Sequence, residues 1–453
     1  MTPSPIAGIR PAGTRALLVE LESLADVTAL DAQLKAHPLP GQVDVLAAAG
    51  TVLVRFAGRR ETAAAAARIR RETEAAADRI QALDLTHADS AEARTVTIDT
   101  VYDGADLAEV ARLTGLSEEA VVKAHTGSSW LGGFGGFAPG FTYLTGGDPV
   151  LKVPRRDTPR TAVPAGSVAL AGEYSAVYPR ESPGGWQLIG RTNAVMWDLN
   201  REDPALIRPG DTVIFNPVRE LVTTTDTSPA ATEEFTTGPS LEIKAPGLQS
   251  LIQDLGRPGY ADLGVSASGA ADTRSARQAN RLVGNAADAA VIENLFGGLE
   301  LSAHGDAVLA LAGAELPAGI VSADGGRDRP APLDAPFALL DGETLTLGTP
   351  FRGVRTYVAV RGGIAVEPVL GSRSTDSMSG IGPAPLDAGT RLPVGNLTGT
   401  APVGFPEPGT LATTGRPGTL GDGTNPPLLR ITAGPRQDWF GPGAAAALTE
   451  HTW

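Results

Sequence analysis

Two stretches of this 453-residue chain set chemically able side chains among turn residues. The first is Gly132-Gly133-Phe134-Gly135-Gly136-Phe137-Ala138-Pro139-Gly140-Phe141-Thr142-Tyr143-Leu144, where rigid apolar rings alternate with residues that open backbone angles closed to others. The pattern reads as a built loop, with Phe137 and Tyr143 as ligand contacts; the competing structural reading is a glycine-rich barrel corner packing its aromatics inward. His125 borders the run and serves either as a site base or as a polar helix end. The stretch Arg155-Arg156-Asp157-Thr158-Pro159-Arg160 then brings three guanidinium groups close behind. Their planar donors suit carboxylate or phosphate oxygens, with pairing to the chain's own acids as the alternative, and Arg160 is the phosphate-binding candidate. Tyr178 to Trp186 and Gly190-Arg191-Thr192 repeat the combination of glycine, aromatic and arginine, adding Tyr178, Trp186 and Arg191.

The second stretch, Gln253-Asp254-Leu255-Gly256-Arg257, packs an amide, a carboxylate and a guanidinium between turns, and these three are the main catalytic candidates. Asp272 is placed to cap a helix whose stripe is Ala276, Ala279, Leu282 and Val283, with Asn280 and Arg281 as candidate ligand contacts. Gly371-Ser372-Arg373-Ser374-Thr375-Asp376 clusters short hydroxyls around one arginine. Such a turn can cradle an oxyanion, which makes Arg373, Ser374 and Thr375 candidates as well. No Gly-x4-Gly-Lys loop, Gly-x-Ser-x-Gly elbow or His-Glu-x-x-His pair occurs, and the five histidines lack metal-ligand spacing, so no metal site is expected. Gly133-x-Gly135-x-x-Ala138 imitates a dinucleotide fingerprint, but Pro139-Gly140 stand where its helix would begin.

The elements that must position these residues follow from composition and period. With 55 Gly and 36 Pro, 42% apolar and 19% charged residues, the chain reads as globular and mainly β with α+β. A net charge of −14 disfavours nucleic acid and anionic membrane surfaces. The absence of cysteine fits a reducing cytosol, and with no signal-like start or span-length apolar window the expected location is cytoplasmic. Residues 1–94 alternate strands and helices as a small α+β domain, including an Ala-rich helix from about Arg60 to Leu83. A strand at Val96-Thr97-Ile98 opens a second block, 95–222, with helices at Asp106 to Thr114 and Ser117 to His125 followed by short strands. Residues 223–240 read as a linker, and 241–453 as a further β region with a Gly- and Pro-rich excursion from Leu397 to Pro427.

Several long strings carry a resemblance. GFAPGFTYL, TPRTAVPAGSVALAG, VYPRESPGGW and IRPGDTVIF make residues about 10 to 220 resemble the family of B-type subunits of 5-oxoprolinase, also called allophanate hydrolase subunit 1. APGLQSLIQDLGRPGY, GAADTRSARQANRLVGN and GSRSTD make residues about 240 to 453 resemble the C-type subunits of 5-oxoprolinase, or allophanate hydrolase subunit 2. The resemblance implies cyclophilin-like β-barrels after the α+β domain and a component of an ATP-dependent 5-oxoprolinase. Such a component would open the lactam of 5-oxo-L-proline to glutamate with a separate A-type subunit, ATP and Mg²⁺; a homo-oligomer is compatible with it. It leaves open the carboxyltransferase part of a biotin-dependent urea carboxylase and an inhibitor of a histidine kinase. Arg160, Arg191, Arg257 and Arg373 are the residues suited to phosphate charge in the first of these. Glu173-Tyr174-Ser175-Ala176 stands where the first family often has Gln-Thr-Gly, and the strings with which the second family continues past Gly434-Pro435 do not follow, so the last barrel is expected to be incomplete.

Overall fold

In a computed structural model, which describes residues 6–82, 94–221, 238–323, 326, 328–410, 431–432 and 434–450, the chain opens on a four-stranded antiparallel sheet. Its strands Ile6–Pro11, Ala16–Leu21, Thr51–Phe56 and Gln42–Ala47 lie in that order. Alternate residues Val19, Leu21, Val52, Val54 and Phe56 point to one face, as a two-residue period dictates, and are buried. Helix Leu24–Ala36 covers them with Val27, Leu30 and Leu34, and its N-terminus is capped by Ser23, whose hydroxyl accepts from the Asp26 amide. A second helix, Arg59–Ala82, adds Ile69 to the same core, as its sequence period requires; the side chain of Ile80 lies outside the described residues.

The next unit is a seven-stranded sheet ordered Gln187–Arg191, Ser167–Ala171, Tyr174–Val177, Thr142–Thr145, Trp130–Gly135, Thr212–Pro217, Thr95–Thr100. Its two outer strands meet: Val101 and Arg191 exchange amide hydrogen bonds of 2.9 and 2.8 Å, so the sheet nearly closes into a barrel. Helices Leu107–Thr114 and Glu118–Thr126 lie where the sequence places them, and Ser117 caps the second by accepting from the Ala120 amide. The glycine run departs from expectation. Its first half, Trp130–Gly135, is a mostly buried strand rather than a loop, paired with Thr142–Thr145 and Thr212–Pro217, and glycine is needed within it because a Cβ on Gly132 would sit 2.3 Å from the Arg208 carbonyl oxygen. Only residues 136–141 form the loop.

Of the expected linker 223–240, residues 223–237 lie outside the described residues, and Ser240 already begins a strand. A six-stranded and a five-stranded sheet enclose Leu241, Ile243, Ile252, Ile292, Leu309, Leu311, Val358 and Val360. The alternate residues Val291, Ala310, Ala312, Tyr357 and Ala359 face the other way and receive Ala276, Ala279 and Leu282 of helix Thr273–Leu282. Residues 400–410 of the expected excursion run beside that helix, through Arg281 to Glu407 and Gln278 to the Pro408 carbonyl, while 411–427 lie outside the described residues. No described helix is long and apolar enough to cross a membrane.

Candidate functional site at the module junction

The two halves meet where the glycine loop of the barrel receives the turn 259–264 of the second module. The Gly140 amide donates to the Leu263 carbonyl at 3.1 Å. A Cβ on Gly135 would fall 2.0 Å from the Asp262 oxygen, and one on Gly264, whose φ is +76°, would fall 2.2 Å from the Ala138 oxygen. Glycine is therefore required on both sides of this contact. Lys35 reaches across from the α+β unit to Asp262 at 2.9 Å while also pairing with Asp31 at 2.8 Å.

Shortly before that turn, strand Gln249–Gln253 delivers Asp254 into a buried polar knot. Asp254 accepts from the hydroxyls of Ser372 and Ser374, both at 2.6 Å, from the Gly256 amide at 2.7 Å and from the Arg373 amide at 2.6 Å. Burial works against its charge, yet these hydroxyls and amides hold its carboxyl below the usual range. Arg257, only 2% exposed, donates to the carbonyls of Val369 and Ser374, and burial lowers its pKa. Gln253 Nε2 donates to the Thr375 carbonyl at 3.0 Å. The segment expected to cradle an oxyanion is thus itself fastened by Asp254 and Arg257. The Ser374 hydroxyl points at Asp254, and Arg373 Nε donates to the Val366 carbonyl at 2.6 Å. Three buried polar atoms of the knot remain without a partner: Gln253 Oε1, Arg257 Nη1 and Thr375 Oγ1. Buried polar atoms are normally paired, and these three lack a partner among the described residues.

On the barrel side, Asp106 was legible only as a helix start, but its buried carboxylate is the brace of the arginine stretch. Its Oδ1 accepts from Arg156 at 2.5 Å and Arg160 at 2.8 Å, and its Oδ2 from the Leu188 amide at 2.8 Å. Arg160 is therefore engaged structurally. Beside it Phe141, Tyr143, Tyr178 and Trp186 form one aromatic cluster, with Phe141 lying 5.4 Å from Tyr178 and 5.6 Å from Trp186, edge to face. Burial pushes the Tyr143 and Tyr178 hydroxyls up, and the nearby charge of Arg155 opposes that. Phe137 stands at the edge of the cluster, 5.2 Å from Phe141, with 60% of its surface exposed and a left-handed φ of +68°. A bulky residue held in that conformation is strained, and strain of this kind gathers at binding sites.

Four candidates fall elsewhere. His125 lies wholly inside the barrel core, its Nδ1 2.7 Å from the Tyr102 hydroxyl and its Nε2 2.8 Å from Ser175 Oγ, and burial lowers its pKa to about 3. The structure corrects its candidacy as a base: neither ring nitrogen is free. Asn280 is fully buried, donating to the Ala289 carbonyl and accepting from Asn285. Arg281 pairs with Glu407 and Arg191 with Asp103 at 2.9 Å. Period and cap residues place His125, Asn280 and Arg281 on their helices, whereas Arg191, read as part of a turn, ends strand Gln187–Arg191. Among the described residues no three His, Asp or Glu could hold a metal ion together.

Two fused, mostly β modules joined through a glycine-lined contact define the class of architecture. Residues 7–207 match the family described as carboxyltransferase domain, subdomain C and D, and 263–453 match carboxyltransferase domain, subdomain A and B. The chain belongs to this carboxyltransferase-domain family, with the two modules in one polypeptide. It is similar to the B-type subunit of 5-oxoprolinase from Escherichia coli O157:H7, at 48% identity over 132 residues, 28% of this chain and 61% of that protein. It is also similar to the C-type subunit of 5-oxoprolinase from Escherichia coli K12, at 40% over 158 residues, 34% of this chain and 49% of that protein. The crystal structure of TTHA0988 superposes with a TM-score of 0.73 at 36% identity, covering 87% of this chain and 77% of that one. The chain spans 61% and 49% of the lengths of those two curated relatives.

Proposed function

We propose that this chain is the joined B-like and C-like component of an ATP-dependent 5-oxoprolinase, working with an A-type subunit to open the lactam of 5-oxo-L-proline. The observation that supports it is the packing of the glycine loop of the B-like module directly onto the turn that follows the Gln253 to Arg257 segment of the C-like module. A lactam carbonyl is a poor electrophile, and transfer of a phosphoryl group to its oxygen would make it a good one. Asp254 acts as a positioning residue in this reading, holding the 372–376 segment against Arg257.

ATP and Mg²⁺ do not fit the described residues well. Among the described residues the arginines suited to phosphate charge are already engaged: Arg160 and Arg191 pair with Asp106 and Asp103, and Arg257 and Arg373 donate to backbone carbonyls. We therefore assign both to the A-type partner and derive no step through them here. Dependence on ATP also fits a cytoplasmic location.

The test is release of glutamate and ADP by the full chain mixed with an A-type subunit, ATP, Mg²⁺ and 5-oxo-L-proline. Urea with a carboxylated biotin carrier is the parallel arm. Glutamate and ADP in equal amounts, lost in Arg257→Ala, are expected; carboxyl transfer to urea without glutamate would replace this reading with a carboxyltransferase.

A further inference from the structure

Three arginines follow the glycine loop, and the fold treats them differently. Arg156 and Arg160 both donate to Asp106, whose third bond goes to the Leu188 amide. Arg155 points the other way. Its guanidinium carbon lies 5.9 Å from the centre of the Trp186 ring, on the exposed side of the aromatic cluster, and it enters no ion pair or hydrogen bond among the described residues. Phe137, left-handed and exposed, flanks the same cluster 6.5 Å from Tyr178.

A cation resting on an indole face loses part of its rotational freedom but keeps its in-plane N–H donors open, the geometry that reads a carboxylate in bidentate fashion. Beside it the exposed ring of Phe137 offers a flat apolar face that favours a small planar group over an extended flexible one. We propose that Arg155, stacked on Trp186, is the carboxylate-binding residue of a substrate subsite whose apolar wall is the exposed ring of Phe137. The ligand class is a small planar amide bearing a carboxylate. This inference rests on the 5-oxoprolinase reading and sharpens it: 5-oxo-L-proline carries the required carboxylate, whereas urea does not. It also moves recognition from Arg160, which Asp106 already engages, to its unpaired neighbour.

The experiment compares wild type, Arg155→Ala, Arg155→Lys and the remote surface variant Arg112→Ala. Steady-state kinetics use the complex with the A-type subunit, and a calorimetric titration uses the full chain alone. The ligands are 5-oxo-L-proline and 2-pyrrolidinone, the same lactam without the carboxylate. Loss of a charge-assisted bidentate contact is expected to raise KM for 5-oxo-L-proline about 10- to 100-fold with kcat changed little. Arg155→Lys restores part of the loss, Arg112→Ala has no effect, and 2-pyrrolidinone is insensitive to all three. An unchanged KM in Arg155→Ala, in a complex that turns over 5-oxo-L-proline, overturns the subsite and leaves the proposed function standing. If the wild-type complex is silent, the proposed function falls and the titration decides the subsite. Binding that needs both Arg155 and the ligand's carboxylate upholds it, and binding that is absent or independent of Arg155 overturns it.

Discussion

Asp254 and His125 show how far a residue's type can mislead until its partners are known. A carboxylate in a Gln-Asp-x-Gly-Arg string invites the role of acid or base, yet Asp254 accepts four short hydrogen bonds, three of them from one loop. Asp254→Asn keeps the size but loses the charge and sets an NH₂ against existing donors. We expect a loss of about 2–4 kcal/mol, read by urea unfolding, with the loop 372–376 becoming protease-sensitive. A variant as stable as wild type would sink the clamp. For His125, burial keeps the folded imidazole neutral down to about pH 3, while in the unfolded chain it protonates near 6.5. Between those values the unfolded state binds the extra proton, so this residue lowers stability as pH falls below 6.5, by up to about 1.4 kcal/mol per unit. Unfolding at pH 5 and pH 7 should therefore show a shallower pH slope in His125→Gln than in wild type, whatever its absolute stability.

At the scale of elements, the glycine loop and the turn 259–264 behave as one interlocked piece. Gly264→Ala would force a side chain into both a left-handed backbone and the Ala138 carbonyl, for a penalty of roughly 2 kcal/mol or more. Gly136→Ala meets nothing within 4 Å. Hydrogen exchange across residues 259–264 should accelerate in the first variant and stay unchanged in the second, with activity following the same order; equal exchange in both would show that the contact does not hold the modules.

Across the whole molecule, the Lys35 to Asp262 ion pair is the long-range contact that catches the eye, and physical reasoning gives it little weight. Its partners are 38% and 25% exposed, and pairs of that kind contribute under about 1 kcal/mol. Asp262→Asn, which removes this pair and leaves Lys35 on the buried Asp31, should thus shift the unfolding midpoint far less than Gly264→Ala, which a side-by-side thermal melt would check.

Much of this architecture could be read from the sequence because it depends on local rules. Alternation placed three of the four strands of the α+β unit and missed Ile6–Pro11, Ser117 and Asp272 announced two helix starts, and a Gly- and Pro-rich composition with long family strings pointed to mostly β modules. The glycine run was harder, since Trp130–Gly135 is a strand through pairing with Thr142–Thr145 just after it and with Thr212–Pro217 about eighty residues away, and its glycines admit the Arg208 and Asp211 carbonyls that lie against it. The sequence by itself determined which residue types stand near the junction, since composition, period and turn chemistry are encoded within short windows. Only tertiary structure decided which of them remain open, sending Arg156 and Arg160 to Asp106, the Ser372 and Ser374 hydroxyls to Asp254, and His125 into the barrel. A polar group's availability is set by its partners, and those partners arrive from distant segments that no local pattern specifies.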